Sequence, residues 1–290
     1  MTAPASAQLG VHEAVLALLR GGGRGALATV VRASGSTPQQ PGARLLLRED
    51  GSLVGTVGGG AIEQHVIEAL RECLRDRTAR VVTRDLGRDL GMCCGGRMEV
   101  FVEPIEGTPR LVVFGAGHVS RATAALARTV GFAVTVVDDR EELNDEARFP
   151  GCTRVLAEPR EARERIQPTE HDWLLIVTHD HRLDEEALDT YAALPHAYLG
   201  MIGSRRKLVR ILQRIRARRG ALPPLERVYA PVGLRIGAIS PEEIAISIVG
   251  ELVALRHGER AGAHLRALED PAIQRALAAN EPLAEDPASK

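Results

Sequence analysis

Hydrophobic positions repeat along this chain with two different periods, and the change between them divides it. Val11, Ala14, Val15, Leu18 and Leu19 recur at helical spacing, which predicts an amphipathic helix over residues 10–20, stopped by Gly21, Gly22 and Gly23. Residues 26–33, with Thr29, Val30 and Val31, read as a strand. Residues 34–42 are rich in Ser, Pro and Gly and read as a loop. Residues 44–48 and 52–57 read as a β-hairpin around Asp50-Gly51, a pair that suits a tight turn. A helix is predicted from Ala61 to about Arg75. Met98, Val100 and Val102 alternate with polar or exposed-type positions, as in a strand. The N-terminal part therefore predicts a small mixed α+β unit with two helices.

From Leu111 the pattern becomes strand–helix alternation. Apolar strands are predicted at 111–114, at 133–137 ending in Asp138-Asp139, at 173–177 ending in Thr178-His179-Asp180-His181, and at 197–201. Helices are predicted at about 119–130, at 184–194 and, strongly basic, at 204–219. Ser240-Pro-Glu-Glu243 is a helix start, because Ser caps, Pro suits the first turn and Glu reaches back to the cap. Ile244, Ile248, Val249 and Leu252 give that helix its buried face. Residues 106–110 read as a linker. The chain is thus α/β: an N-terminal mixed domain over 1–106, a Rossmann-like parallel-sheet domain over 107–258, and a tail over 259–290 that is a weak helix or frayed.

Composition narrows the function. With 37 Lys and Arg against 38 Asp and Glu the net charge is −1, so no overall field draws the chain to nucleic acid or a membrane. Aromatic residues are 3% of the chain, too few for a base-stacking platform. No apolar run approaches the roughly 20 residues of a membrane span. Residues 1–8 show no secretory signal pattern. The cysteines Cys73, Cys93, Cys94 and Cys152 are too sparse for a disulfide scaffold, so a cytoplasmic protein is expected.

Several segments carry candidate chemistry. Gly58, Gly59 and Gly60 precede a helix and form either an anion seat or a tight strand-to-helix turn. Glu63 is then either a ligand contact or a partner of the helix dipole. The run Gly-Met-Cys-Cys-Gly-Gly at 91–96 sets Cys93 and Cys94 on a glycine turn with Gly95 and Gly96. Adjacent cysteines do not clamp a zinc ion, so a thiolate here is a nucleophile, a persulfide carrier, a soft-metal ligand or a buried structural thiol. Gly115-Ala-Gly117-His118 follows a strand and opens a helix, the setting of the dinucleotide fingerprint, with Ser120 at its third position. Asp138 ends the next strand, where an acid contacts a ribose. His179, Asp180 and His181 with Asp184 suggest a hard-metal site or a polar helix cap. Ser204 with Arg205, Arg206 and Lys207 suggests a phosphate contact. The glycine fingerprint alone would suit an NAD(P)-dependent oxidoreductase, and the thiols alone a sulfurtransferase.

These motifs, taken in order, resemble the XdhC/CoxI family. They are Gly-Thr-Val-Gly-Gly-Gly-Ala-Ile-Glu at 55–63, the cysteine turn at 91–96, Val-Phe-Gly-Ala-Gly-His at 113–118 and Thr-His-Asp-His at 178–181. Leu-Gly-Met-Ile-Gly-Ser-Arg-Arg-Lys at 199–207, Pro-Val-Gly-Leu-Arg-Ile-Gly at 231–237 and Ser-Pro-Glu-Glu-Ile-Ala-Ile-Ser at 240–247 complete them. The resemblance runs from about residue 10 to 257. It implies a molybdenum cofactor (molybdopterin) chaperone, often dimeric, rather than a turnover enzyme. Such a protein assists cofactor sulfuration and insertion into the molybdenum subunit of xanthine dehydrogenase, with sulfur from a cysteine desulfurase. Cys93, Cys94, Gly95 and Gly96 are expected at the metal end, Cys94 as a molybdenum contact, and Gly115, Gly117, His118 and Asp138 along a cleft. Where some relatives carry Cys this chain has Ala61, so one of the paired thiols would act alone.

Overall fold

The computed structural model describes residues 5–89, 95–259 and 271–280 of the 290-residue chain, which form two compact units, Met1–Thr108 and Pro109–Lys290. Cys93 and Cys94 lie outside the described residues.

The first unit is an antiparallel five-stranded sheet with a helix on each face. Its order is β3 (Leu53–Gly55), β2 (Arg44–Arg48), β1 (Arg24–Ser34), β5 (Arg97–Glu106) and β4 (Arg80–Asp85). Alternation along β1 decides what each face buries. Ala26, Ala28 and Val30 join Met98, Val100 and Val102 under Ile62, Val66, Leu70 and Cys73 of α2 (Gly60–Asp76). Leu27 and Leu46 face the other way, onto Val11, Ala14 and Leu18 of α1 (Ala5–Gly21). Each large aliphatic side chain buried in these layers contributes about 1.5–3 kcal/mol relative to exposure. Strand β4 escapes the sequence pattern because it is a half-exposed edge, and its apolar residues Val81 and Val82 sit on opposite faces.

The second unit is a parallel six-stranded sheet, in which β6 (Arg110–Phe114) comes first in sequence among its six strands but lies centrally. On one side follow β7 (Ala133–Val137) and β8 (Thr153–Val155). On the other follow β9 (Trp173–Ile176), β10 (Tyr198–Met201) and β11 (Val228–Tyr229). The winding therefore reverses between β6 and β9, and ligands of open α/β sheets bind beyond the strand ends at such a reversal. One face buries Val112, Phe114, Leu174 and Ile176 under α5 (His181–Tyr191) and α6 (Arg205–Arg219), with α4 (Arg163–Ile166) and α8 (Pro271–Ala279) contributing Ile166 and Ile273. The other face buries Leu111, Val113, Val136 and Leu175 under α3 (His118–Thr129) and α7 (Pro241–Arg256). Burial on both faces is why the central strands read as unbroken apolar runs.

Several boundaries differ from expectation, among them the start of α1 at Ala5 rather than at 10. Strand β5 runs through Glu106 and β6 begins at Arg110, leaving only residues 107–109 between them. Helix α5 begins at His181 rather than at 184, because the Asp180 side chain caps it by accepting the Arg182 N–H at 2.7 Å. No described helix is long and apolar enough to cross a membrane.

Candidate functional site

In the first unit the link between β3 and α2 runs through Gly58, Gly59 and Gly60, all at positive φ (131°, 72° and 62°). This turn aims its donors at one carboxylate oxygen. Glu63 Oε2 accepts the N–H of Val57 at 3.1 Å and of Gly59 at 3.2 Å, and the Thr56 hydroxyl bonds to the same oxygen. The glycine turn thus holds a carboxylate of its own chain at the start of α2. Glu63→Ala leaves those three donors without their acceptor. The expected cost is about 1–3 kcal/mol, with Glu63→Gln intermediate, read as a lower urea midpoint at unchanged slope.

One further segment reaches this turn, and Gly96 reaches that segment. A Cβ on Gly58 would meet Pro38 Cγ at 2.7 Å, and one on Gly96 would meet the Ser34 carbonyl oxygen at 2.7 Å as well as that of Ser36. Gly35 lies against Gly96 in turn, at 3.1 Å from its Cα to the place of a Cβ. The loop at 34–39 therefore touches the turn at 58–60 at one end and Gly96 at the other, and glycine at 58 and 96 permits those approaches. Among the described residues nothing lies within 4 Å of a Cβ placed on Gly59 or Gly95, and the buried Gln39 side-chain oxygen has no partner. A neighbouring hollow of about 510 Å³ is lined by Gly60, Ala61, Glu63, Gln64, His65 and Ile67. This combination of open glycine backbone and an unsatisfied amide acceptor fits a ligand with amide-like donors. The loop at 34–39 is what sequence reasoning missed. Its Ser, Pro and Gly content was visible, but that content also describes an ordinary connection.

In the second unit Gly115 ends β6 at φ 116°, and a Cβ there would strike the Val177 carbonyl, 2.8 Å from its carbon. Gly115 thus brings the loops after β6 and β9 together at the reversal. Gly117 caps α3 with no side-chain bond, in open space, and His118 is exposed beside it. The Thr178 hydroxyl bonds to Asp184 Oδ1 at 2.7 Å. His179 and His181 are exposed, and Asp180 is the helix cap described above. Buried Asp184 forms a close ion pair with Lys207, whose helix α6 is capped by Ser204 accepting the Lys207 N–H at 3.2 Å. Of these four residues Asp180 caps α5 and Asp184 pairs with Lys207, while the two histidines face solvent. Among the described residues no group of three His, Cys, Asp or Glu side chains is arranged to hold a metal ion.

Asp138, expected along a cleft, instead turns inward and is 5% exposed. Oδ2 accepts the Ala116 N–H at 2.7 Å and Arg140 Nη2 at 2.7 Å, while Oδ1 accepts Arg140 Nε at 2.8 Å and the Arg140 N–H at 3.0 Å. Burial is the largest single influence on its carboxyl and pushes the pKa up. The Arg140 fork and the backbone N–H groups of Arg140 and Ala116 together outweigh it and hold the pKa below the ordinary value.

Comparison with known proteins accounts for both units. The XdhC and CoxI family model matches residues 18–85, and the XdhC Rossmann domain model matches residues 111–252. Uncharacterized protein YqeB of Escherichia coli is 40% identical over 243 residues, covering 82% of this chain, which spans only 44% of YqeB's length. A Bacillus subtilis protein named as a probable xanthine dehydrogenase subunit is 24% identical, covering 84% of this chain and 97% of its own. The molybdenum cofactor insertion chaperone PaoD of Escherichia coli is 21% identical, covering 84% of this chain and 86% of its own. A solved structure described as a xanthine dehydrogenase from Bacillus halodurans shares the fold at a TM-score of 0.50 and 23% identity, over 87% of this chain and 97% of that one. With one model matching within each compact unit and in this order, the chain belongs to the XdhC and CoxI family.

Proposed function

We propose that this chain is an accessory protein of molybdenum hydroxylases that takes the molybdenum cofactor as cargo, assists its sulfuration and passes it to xanthine dehydrogenase. Family membership supports the accessory role, as do relatives named for xanthine dehydrogenase and for molybdenum cofactor insertion. The observation that carries the reading to this chain is that the loop at 34–39 packs against both the turn at 58–60 and Gly96. Gly95-Gly96 follows Cys93-Cys94 directly in sequence.

The chemistry is complementary. A pterin presents amide-like edges, which suit the Gln39 oxygen and open glycine backbone. Sulfur-ligated molybdenum is a soft centre, which suits a thiolate from Cys93 or Cys94. A thiolate that holds the metal loosely also permits handover. The proposal extends to a cysteine desulfurase as sulfur donor, to a second copy of this chain and to a cytoplasmic address, where thiols stay reduced.

Anaerobic equilibrium binding of molybdenum cofactor to wild type and to the Cys93→Ala/Cys94→Ala variant tests this. Stoichiometric binding, weakened at least about tenfold in the variant (about 1.4 kcal/mol), is the expected result. Wild type that takes up no cofactor overturns the proposal. Full affinity in the variant removes the thiols from it.

A further inference from the structure

We infer that the Rossmann unit of this chain is not a nicotinamide-nucleotide site, because the acid through which such units recognise ribose serves as an internal latch of the glycine turn. In dinucleotide-binding units an acid at the end of the second strand bonds the ribose hydroxyls. Asp138 stands at that position, directly after β7.

A carboxylate offers about four acceptor positions, two on each oxygen. All four of Asp138 are filled by the N–H groups of Ala116 and Arg140, at 2.7 to 3.0 Å, and its side chain is 3% exposed. A ribose diol would have to displace a charge-assisted, forked guanidinium bond and replace it with a weaker neutral one. In NADP-type units an arginine nearby meets the 2′-phosphate instead. Here Arg140 directs both Nε and Nη2 at Asp138, and its charge is balanced there.

The middle of the glycine turn is tied down as well. The Ala116 N–H is held by Asp138, and its carbonyl oxygen accepts Arg148 Nη2 at 3.2 Å. Arg148 is itself fixed by donating to the Leu143 carbonyl at 3.0 Å. The Asn144 side chain then donates to the carbonyl oxygens of Asp138 at 3.2 Å and Val155 at 3.1 Å, which locks the strand end carrying the acid. The fingerprint glycine that remains essential, Gly115, is required by the Val177 backbone and not by a pyrophosphate. The turn thus keeps the shape of a nucleotide site while its recognition groups bond to one another.

This inference is independent of the cargo proposed above, and the two fail separately. Calorimetric titration of NADH, NADPH and AMP into the full chain is the first arm. The expected result is no saturable binding below about 1 mM. Saturable wild-type binding of any of them tighter than that overturns the inference, whatever happens with molybdenum cofactor. The second arm is thermal melting of Asp138→Asn and Arg140→Ala with no nucleotide present. Both variants should melt below wild type, because the latch is internal. Melting of both with wild type overturns it.

Discussion

Glu251→Ala lowers the unfolding free energy of the second unit by about 3–5 kcal/mol. The cause is a carboxylate with no access to water. Glu251 sits on α7 with zero exposure. Its Oε2 accepts the Gly233 N–H at 2.8 Å, and its Oε1 takes the hydroxyl of Tyr198, itself 1% exposed. Burial above all, and then the Glu251 charge and hydrogen bond, hold the Tyr198 hydroxyl well above its ordinary pKa, so it remains a donor. Alanine removes the acceptor of the buried Tyr198 hydroxyl and of the part-buried Gly233 N–H, and leaves a cavity beside the stacked rings of Tyr198 and Tyr229, 4.7 Å apart. Glu251→Gln keeps the volume but turns an amide N–H toward one of the donors, so it loses part of the same stability. Unfolding can be followed at the one tryptophan, Trp173, whose ring lies 5.3 Å from that of Tyr198. A double-mutant cycle with Tyr198→Phe should return a coupling of about 1–3 kcal/mol. Strict additivity of the two changes would contradict the bond.

Gly115→Ala is expected to cost about 3–4 kcal/mol, whereas Gly117→Ala stays within about 0.5 kcal/mol of wild type. Gly115 has φ 116°, which an L side chain reaches only under strain. The added methyl would also press on backbone, with the Val177 carbonyl carbon at 2.8 Å and Thr178 Cα at 3.0 Å. Backbone cannot swing aside as a flexible side chain can. Relief would move the ends of β6 and β9 apart and weaken the bonds from the Gly115 N–H to the Val137 oxygen (2.7 Å) and from the Val177 N–H to the Phe114 oxygen (2.9 Å). Gly117 has φ −74° and nothing within 4 Å of a Cβ, so alanine fits there unstrained. Equal melting temperatures for the two variants would show that the first fingerprint glycine is not a packing requirement.

Local signals were legible in the sequence. The start of α7 is written within four residues: Ser240 and Glu243 exchange a cap bond at 3.2 Å and a return bond at 3.0 Å. The central parallel strands could be read because burial on both faces leaves them uniformly apolar. The motif order was enough to indicate the family, and two family models match the chain in that order. The edge strand β4 and the two- or three-residue strands β8 and β11 could not be read, since a short or half-exposed strand needs no clean alternation.

The partners of the polar groups were decided only by the tertiary structure. Asp184 could be read as a metal ligand until Lys207, distant in sequence, appeared beside it. Asp138 reads from sequence as a ribose contact, and only the fold shows Ala116 and Arg140 at its acceptor positions. Glu63 has two readings from sequence, and only the fold shows backbone N–H groups of the adjoining turn bonded to its carboxylate. The physical reason is the same in each case. Period and capping act over a few residues and leave their mark in local sequence. Lys207 reaches Asp184, and the Ala116 N–H reaches Asp138, from distant segments; Arg140 and the turn before Glu63 are near in sequence, but only the folded backbone aims them at the carboxylate.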